Sequence, residues 1–236
     1  MKKTIVYLWL VCIVIFTGCR QETIILHGGV VGFVQILDEA GKLSSEQAGI
    51  LIKLDDTDII AITNNNGRFS MTNVPVGTYN LTFERADLGI RKVFSFEVTP
   101  GPKQVFLDLP LLMYEKPDYQ IKNFEIFKDG ASFVFQFAST PISNYDMKIF
   151  FSTGKQVDTE KWSYQIPVAY CCFSEPVTHF EKKMTPKELN LPLNQPLYMV
   201  AYAKNPKEMP YEELPSGEIR YSTWVQMTNV ITVSFE

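Results

Sequence analysis

The sequence predicts an all-β protein of two consecutive β-sandwich domains behind a short apolar leader. Hydrophobic residues recur with a period of two through most of the chain. Gly, Pro and Asn punctuate those runs, and no segment beyond the leader sustains a 3.6-residue period with capping signals. Composition agrees. Of 236 residues, 46% are apolar and 13% aromatic, enough for real cores, and only 20% are charged. That balance excludes disorder, collagen and coiled coil. With 22 Lys+Arg against 26 Asp+Glu, the formal charge is −4. The basic face that a nucleic-acid binder uses is missing. At roughly 100–200 residues per domain, the length allows one or two domains.

The leader comes first. Lys2 and Lys3 form a basic start, and Ile5 to Phe16 follows without a polar residue. Such a run spans about 18 Å as a helix, short of a bilayer core of about 30 Å, so it fits a secretory signal better than a membrane span. It ends in Phe16-Thr17-Gly18-Cys19. This resembles the lipobox of bacterial lipoproteins. The resemblance implies a signal peptide over residues 1–18, lipid on Cys19 and a lipidated tether over 19–23. Arg20, not aspartate, follows the cysteine. By the same resemblance the destination is the outer membrane, with the periplasmic or the cell-surface face left open. The mature chain would hold 20 basic against 26 acidic residues, net −6. Attachment then rests on acyl chains and not on charge; two or more chains give stable anchoring. Arg20 to Glu22 precede the first apolar strand and have no core to join, so they are expected to be disordered.

Of four cysteines, Cys12 leaves with the signal and Cys19 carries lipid, which leaves the neighbours Cys171 and Cys172. Adjacent Cα atoms lie about 3.8 Å apart, below the usual disulfide range of about 4.4–6.8 Å. The plain reading is one buried and one half-exposed thiol. A strained redox pair is the alternative, and a metal site lacks nearby histidines.

Residues 24–113 form the first predicted sandwich. Tyr79, Leu81 and Phe83 alternate with polar neighbours. Phe94, Phe96 and Val98 repeat the pattern, as do Val105, Leu107 and Leu109. Ser44 to Ala48 reads as one short helical turn at most. Asn66-Gly67 supplies the positive φ of a tight hairpin. Phe69 then inserts between the sheets, and Pro75 and Gly77 turn the chain so that Tyr79 begins an inward row. The series Ala61-Ile62-Thr63-Asn64-Asn65-Asn66-Gly67-Arg68-Phe69-Ser70, followed by Val74-Pro75-Val76-Gly77-Thr78-Tyr79, resembles the carboxypeptidase regulatory-like domain, a transthyretin-type sandwich of about seven strands. In that family such domains are support or interaction modules without catalytic residues.

A short linker, 114–118, separates this unit from a second at 119–236. Pro117 forbids a continuous ladder there. The apolar Leu111, Leu112 and Tyr114 predict that the two units pack together. In the second unit Phe124 and Ile126 precede the turn Lys128-Asp129-Gly130, and Phe133, Phe135 and Phe137 line one face of the next strand. Met147, Ile149 and Phe151 line another. Thr185 caps a short turn with Pro186 at its first position. Tyr198, Val200 and Tyr202 alternate with Met199, Ala201 and Ala203, and Val230 to Phe235 closes the unit. The Leu189-Asn190-Leu191-Pro192 lead-in and the Tyr198 strand resemble the penultimate strand of fibronectin type III and immunoglobulin-like domains. The whole layout is similar to small lipoproteins encoded beside starch-utilization-type outer-membrane uptake systems.

Catalytic motifs are absent: no phosphate loop, HExxH or G-x-S-x-G occurs. His27 and His179 do not sit in metal spacing. Asp55, Asp56 and Asp58 could hold calcium, but a solvated turn is the simpler reading. Asn80-Leu81-Thr82 matches a glycosylation acceptor inside a strand and is set aside. No cofactor or metal is expected, and the chain is read as no enzyme. Aromatic residues remain: Trp162, Tyr164, Tyr211, Tyr221 and Trp224 lie at strand starts or loop edges. They either fill a core or stack on the apolar faces of sugars. Trp162, Tyr211 and Trp224 are the candidate ligand-binding residues, with Tyr211 expected to be the most exposed. Three readings stay open. The chain is a non-catalytic, lipid-anchored binding or assembly module. Alternatively it is a carbohydrate-binding accessory lipoprotein of an outer-membrane glycan uptake system, or the anchor or subunit of a surface fibre. The partners implied are the membrane through the N-terminal lipid and an outer-membrane protein complex or a glycan, with no nucleic acid.

Overall fold

A computed structural model describes residues 25–142, 145–170, 177–192 and 194–234. The leader, Cys19, the Arg20 to Glu22 tether, the Cys171-Cys172 pair and Phe235 lie outside the described residues. The regular secondary structure of the described residues is almost all strand, as the period-two patterning predicts. No helix among the described residues is long and apolar enough to cross a membrane.

The first half builds two facing sheets. In one, β1 (His27–Leu37) pairs antiparallel with β4 (Arg68–Pro75). Its other edge takes β7 (Gln104–Phe106) and then β8 (Leu111–Tyr114), both parallel to β1. The second sheet runs in the order β3 (Ile60–Ile62), β2 (Leu51–Leu54), β5 (Gly77–Arg85) and β6 (Gly89–Val98). Val30, Val34, Ile36, Ile52, Phe69, Leu81 and Phe83 fill the space between the sheets. Phe69 meets Phe83 edge-on at 5.7 Å. Tyr79 packs at the margin of this core and donates its hydroxyl hydrogen to the Pro75 carbonyl.

The Asn66-Gly67 turn differs from expectation. It joins strands of different sheets, so it is a crossing between layers and not a hairpin within one. Gly67 has φ +73, and a Cβ there would sit 2.1 Å from the Val34 carbonyl oxygen. The Asn64 side chain holds the turn by accepting from the backbone N–H of Asn66 and Arg68. Ser44 to Ala48 forms no helical turn. The Gln47 amide accepts from the Ile36 N–H and donates to the Ser44 carbonyl, binding the segment to β1 instead.

The row Phe94, Phe96, Val98 is also broken. Tyr79 faces Phe96 but Leu81 faces Val93, so one extra residue enters β6. Ser95 takes φ +56, and its N–H donates to the Asn80 side-chain oxygen. The inward phase passes to Val93, and Phe94 leaves the core. Asn80, set aside as a glycosylation acceptor, thus fastens a bulge. Leu109, expected inward, is exposed because β7 ends at Phe106.

The second half is also built of facing sheets. One holds β9 (Ile121–Asp129), β10 (Ser132–Ile142) and β13 (Val177–Met184), with β10 central. The other places β12 (Tyr164–Tyr170), β11 (Tyr145–Ser152) and β14 (Leu197–Lys204) side by side. It is closed by β17 (Val225–Gln226) and β18 (Ile231–Val233), which pair with successive stretches of β14. Phe133, Phe135, Phe137, Met147, Ile149, Phe151, Met199 and Ala201 form the core between them. The helix α1 (Pro186–Leu189) carries the expected Thr185 cap, and Glu188 completes a capping box. A separate hairpin, β15 (Tyr211–Glu213) with β16 (Glu218–Arg220), projects toward the first half.

Candidate functional site

The two faces of β14 have different jobs. Met199, Ala201 and Ala203 point into the core, so Val200, with the half-buried Tyr198 and Tyr202, emerges on the outer face of its sheet. There Phe150 and Val157 join them, and Phe150 becomes the centre of an aromatic band. Trp162 lies 6.0 Å from the Phe150 ring, Trp224 5.9 Å and Tyr202 5.9 Å. Tyr221 continues the band, edge-on to Trp224 at 5.8 Å. Tyr164, by contrast, packs on the inner core.

This band runs into a cleft of about 450 Å³ between the halves. The first half contributes Gly89 and Lys92, the connecting segment Lys116, and the second half Tyr211, Arg220, Tyr221 and Trp224. The volume falls in the range of small-ligand sites, about 300–1,000 Å³. Of the three residues singled out from sequence, Tyr211 and Trp224 line the cleft. Trp162 lies on the same band but outside the cleft lining, 41% exposed. Tyr211 is half-buried, contrary to expectation, because the Arg91 guanidinium lies 5.8 Å above its ring. Burial, with Glu213 adding to it, holds the Tyr211 hydroxyl above its usual pKa.

Three polar residues that the sequence reading missed give the cleft its shape. Arg220 contacts Glu213 at 2.7 Å, Glu218 at 2.6 Å and Glu160 at 3.2 Å. The hydrogen bond to Glu213, followed by the surrounding carboxylates, raises its pKa further. The guanidinium is thereby fixed in one orientation at the cleft wall. Beneath the rings, the buried Glu208 carboxylate accepts from the Ser222 N–H and hydroxyl and from the Thr223 N–H and hydroxyl. Lys204, buried and paired with Asp146 at 2.5 Å, sets its ammonium 4.4 Å from the Tyr221 ring.

The halves are joined through the same region. The buried Asn205 donates its side-chain N–H to the Glu115 carbonyl, and its backbone N–H to Thr223 Oγ1. Arg91 donates to the Met209 carbonyl at 2.9 Å. Burial depresses the pKa of Arg91, with Tyr114 and Glu208 opposing. Gly89 has φ +87, and a Cβ there would sit 1.9 Å from the Ser222 carbonyl oxygen. Only glycine permits that approach of the two backbones.

A second concavity, about 750 Å³, follows the edge strand β6. The displaced Phe94 lines it with Leu107, Leu109 and Met209. Arg91, Glu97 and Asp108 stand beside these apolar residues in its lining, with none of the aromatic band. His27 and His179 are exposed on different sheets, and neither lines the junction cleft. Asp55 accepts from the Thr82 hydroxyl and faces Lys92 at 3.7 Å. No group of three or more His, Cys, Asp or Glu among the described residues could hold a metal ion.

No family model matches the chain, and no curated protein matches it. Among solved structures, a DUF3823 family protein from Bacteroides ovatus superposes with a TM-score of 0.35 at 13% identity. That match covers 89% of this chain and 100% of the other. A protein provisionally named carbohydrate-binding, from Bacteroides uniformis, gives 0.34 at 16% identity over 88% and 98%. The major pilin subunit of Bacillus cereus gives 0.32 at 10% identity over 88% and 69%.

Proposed function

We propose that the chain is a non-catalytic, lipid-anchored envelope protein that binds a carbohydrate in the cleft between its halves. The observation that carries this reading is the convergence of Tyr211, Tyr221 and Trp224 with Arg220, Lys92 and Lys116 on one cleft. A sugar has apolar C–H faces and a rim of hydroxyls. Aromatic rings match the faces, and fixed charged side chains match the rim. The lining mixes both signs of charge, which suits an uncharged ligand better than a polyanion. The first half serves as the regulatory-like support module and the second, immunoglobulin-like in layout, supplies most of the ligand contacts. The lipobox-like leader supports an outer-membrane location.

Affinity-gel retardation over a broad panel of neutral glycans tests this reading. Mature wild type is expected to be retarded by at least one glycan. Trp224→Ala and Tyr211→Ala are expected to lose that retardation, and Trp162→Ala, outside the lining, to keep most of it. Unchanged mobility of wild type across the panel would count against carbohydrate binding.

A further inference from the structure

The two ends of the first sandwich differ in charge. At one end, three segments are stitched together. Val76 donates its N–H to the Leu26 carbonyl, His27 pairs with Pro75, and Gly101 donates to the His27 carbonyl. Residues 25–29, 73–78 and 98–104 form much of this end and contain no Asp or Glu, although the chain has 26. Ile25 is 60% exposed, Leu26 55% and Val76 41%. Pro100, Pro102 and Lys103 are exposed beside them. Glu97, opposite Thr78, borders this end, and the loop after β2 carries Asp56 and Asp58 close to where it meets β5 at Asn80. The opposite end is acidic. Asp38, Glu39, Asp87, Glu115 and Asp118 all lie where β1, β5 and β8 finish.

We infer that the end carrying the exposed Ile25, Leu26 and Val76 is the face that rests on the lipid bilayer. This rests on the proposed lipidation of Cys19. Ile25 is six residues beyond that cysteine. Fully extended, such a stretch reaches only about 20 Å, so this end is the part of the fold held nearest the headgroups. Exposed aliphatic side chains suit the boundary between headgroups and acyl chains. The acidic end is turned away from anionic lipid. β1 has 11 residues and spans about 36 Å. The junction cleft, at the far end of that strand beside Gly89 and Lys116, is thereby presented away from the membrane surface.

Site-specific photo-crosslinking tests this orientation. The lipidated full chain carries p-benzoylphenylalanine at Leu26, Val76, Asn66 or Lys128 and is reconstituted in phosphatidylethanolamine–phosphatidylglycerol vesicles. All four positions are exposed, and Asn66 and Lys128 lie away from the proposed face. The expected result is lipid adducts at Leu26 and Val76, with loss of adducts at Asn66 and Lys128. Equal adducts at all four positions, or crosslinks from Val76 to a second copy of the chain, would overturn it. A parallel arm fractionates cells producing Cys19→Ala. Release of that variant from the membrane supports the lipid anchor, and retention there removes the anchor reading while the adduct pattern still reports the orientation.

Discussion

Replacing Phe69 with alanine is expected to destabilise the first sandwich by about 3–5 kcal/mol. The ring is buried between the two sheets against Phe83. The neighbouring backbone is shaped around it, since a Cβ on Gly32 would lie 2.7 Å from Phe69 Cε1. That glycine strand cannot move into the vacated space without breaking its pairing to β4, so the cavity stays open. A domain commonly has about 5–15 kcal/mol of stability in total, so the loss is a large fraction. Calorimetry of Phe69→Ala is expected to show the transition of the first half well below its wild-type temperature. Trp162→Ala, at a partly exposed ring, is expected to shift melting little. An unchanged melting profile for Phe69→Ala would contradict the register from Gly67 to Tyr79.

Glu208→Ala is expected to damage stability and binding together. Its carboxylate serves four donors of Ser222 and Thr223, all in a buried or half-buried setting. Each donor left without an acceptor costs roughly 1–3 kcal/mol, and charged acceptors sit at the upper end. The effects are not additive, so a total of about 3 kcal/mol is a fair expectation. Ser222 and Thr223 lie between Tyr221 and Trp224, so their release frees both rings of the cleft wall. Urea denaturation measures the first effect and glycan retardation the second. Glu208→Gln keeps one accepting oxygen and is expected to retain more of both. Wild-type binding by Glu208→Ala would show that the rings do not depend on this support.

The alternation of apolar residues makes the layers legible in the sequence. Phe133, Phe135 and Phe137 are buried in the core of the second half as their spacing predicts, because a half-buried strand exposes every other residue. Single inserted residues were not legible. Ser95 has no composition cue for a bulge; its reason is Asn80, across the ladder on β5. The helical turn at Ser44 failed because the Gln47 amide found partners on β1, a long-range choice that local propensity does not contain. The candidate site was legible as a set of aromatic residue types. Its assembly was not, since Tyr211 is covered by Arg91 from the other half of the chain. Glu208 and Arg220 carry no motif; their importance comes from which loops the fold brings beside them.

The most direct measurement of the central claim uses Trp224 as the reporter of its own cleft. From residue 19 onward the chain has two tryptophans, Trp162 and Trp224. In Trp162→Phe, Trp224 alone reports, and the ring lies in the cleft lining. Titration of that variant with a glycan that retards the wild-type protein is expected to change Trp224 emission saturably, with the same midpoint as the gel assay. A retarding glycan that leaves Trp224 emission unchanged would contradict the account, because binding would then lie outside the junction cleft.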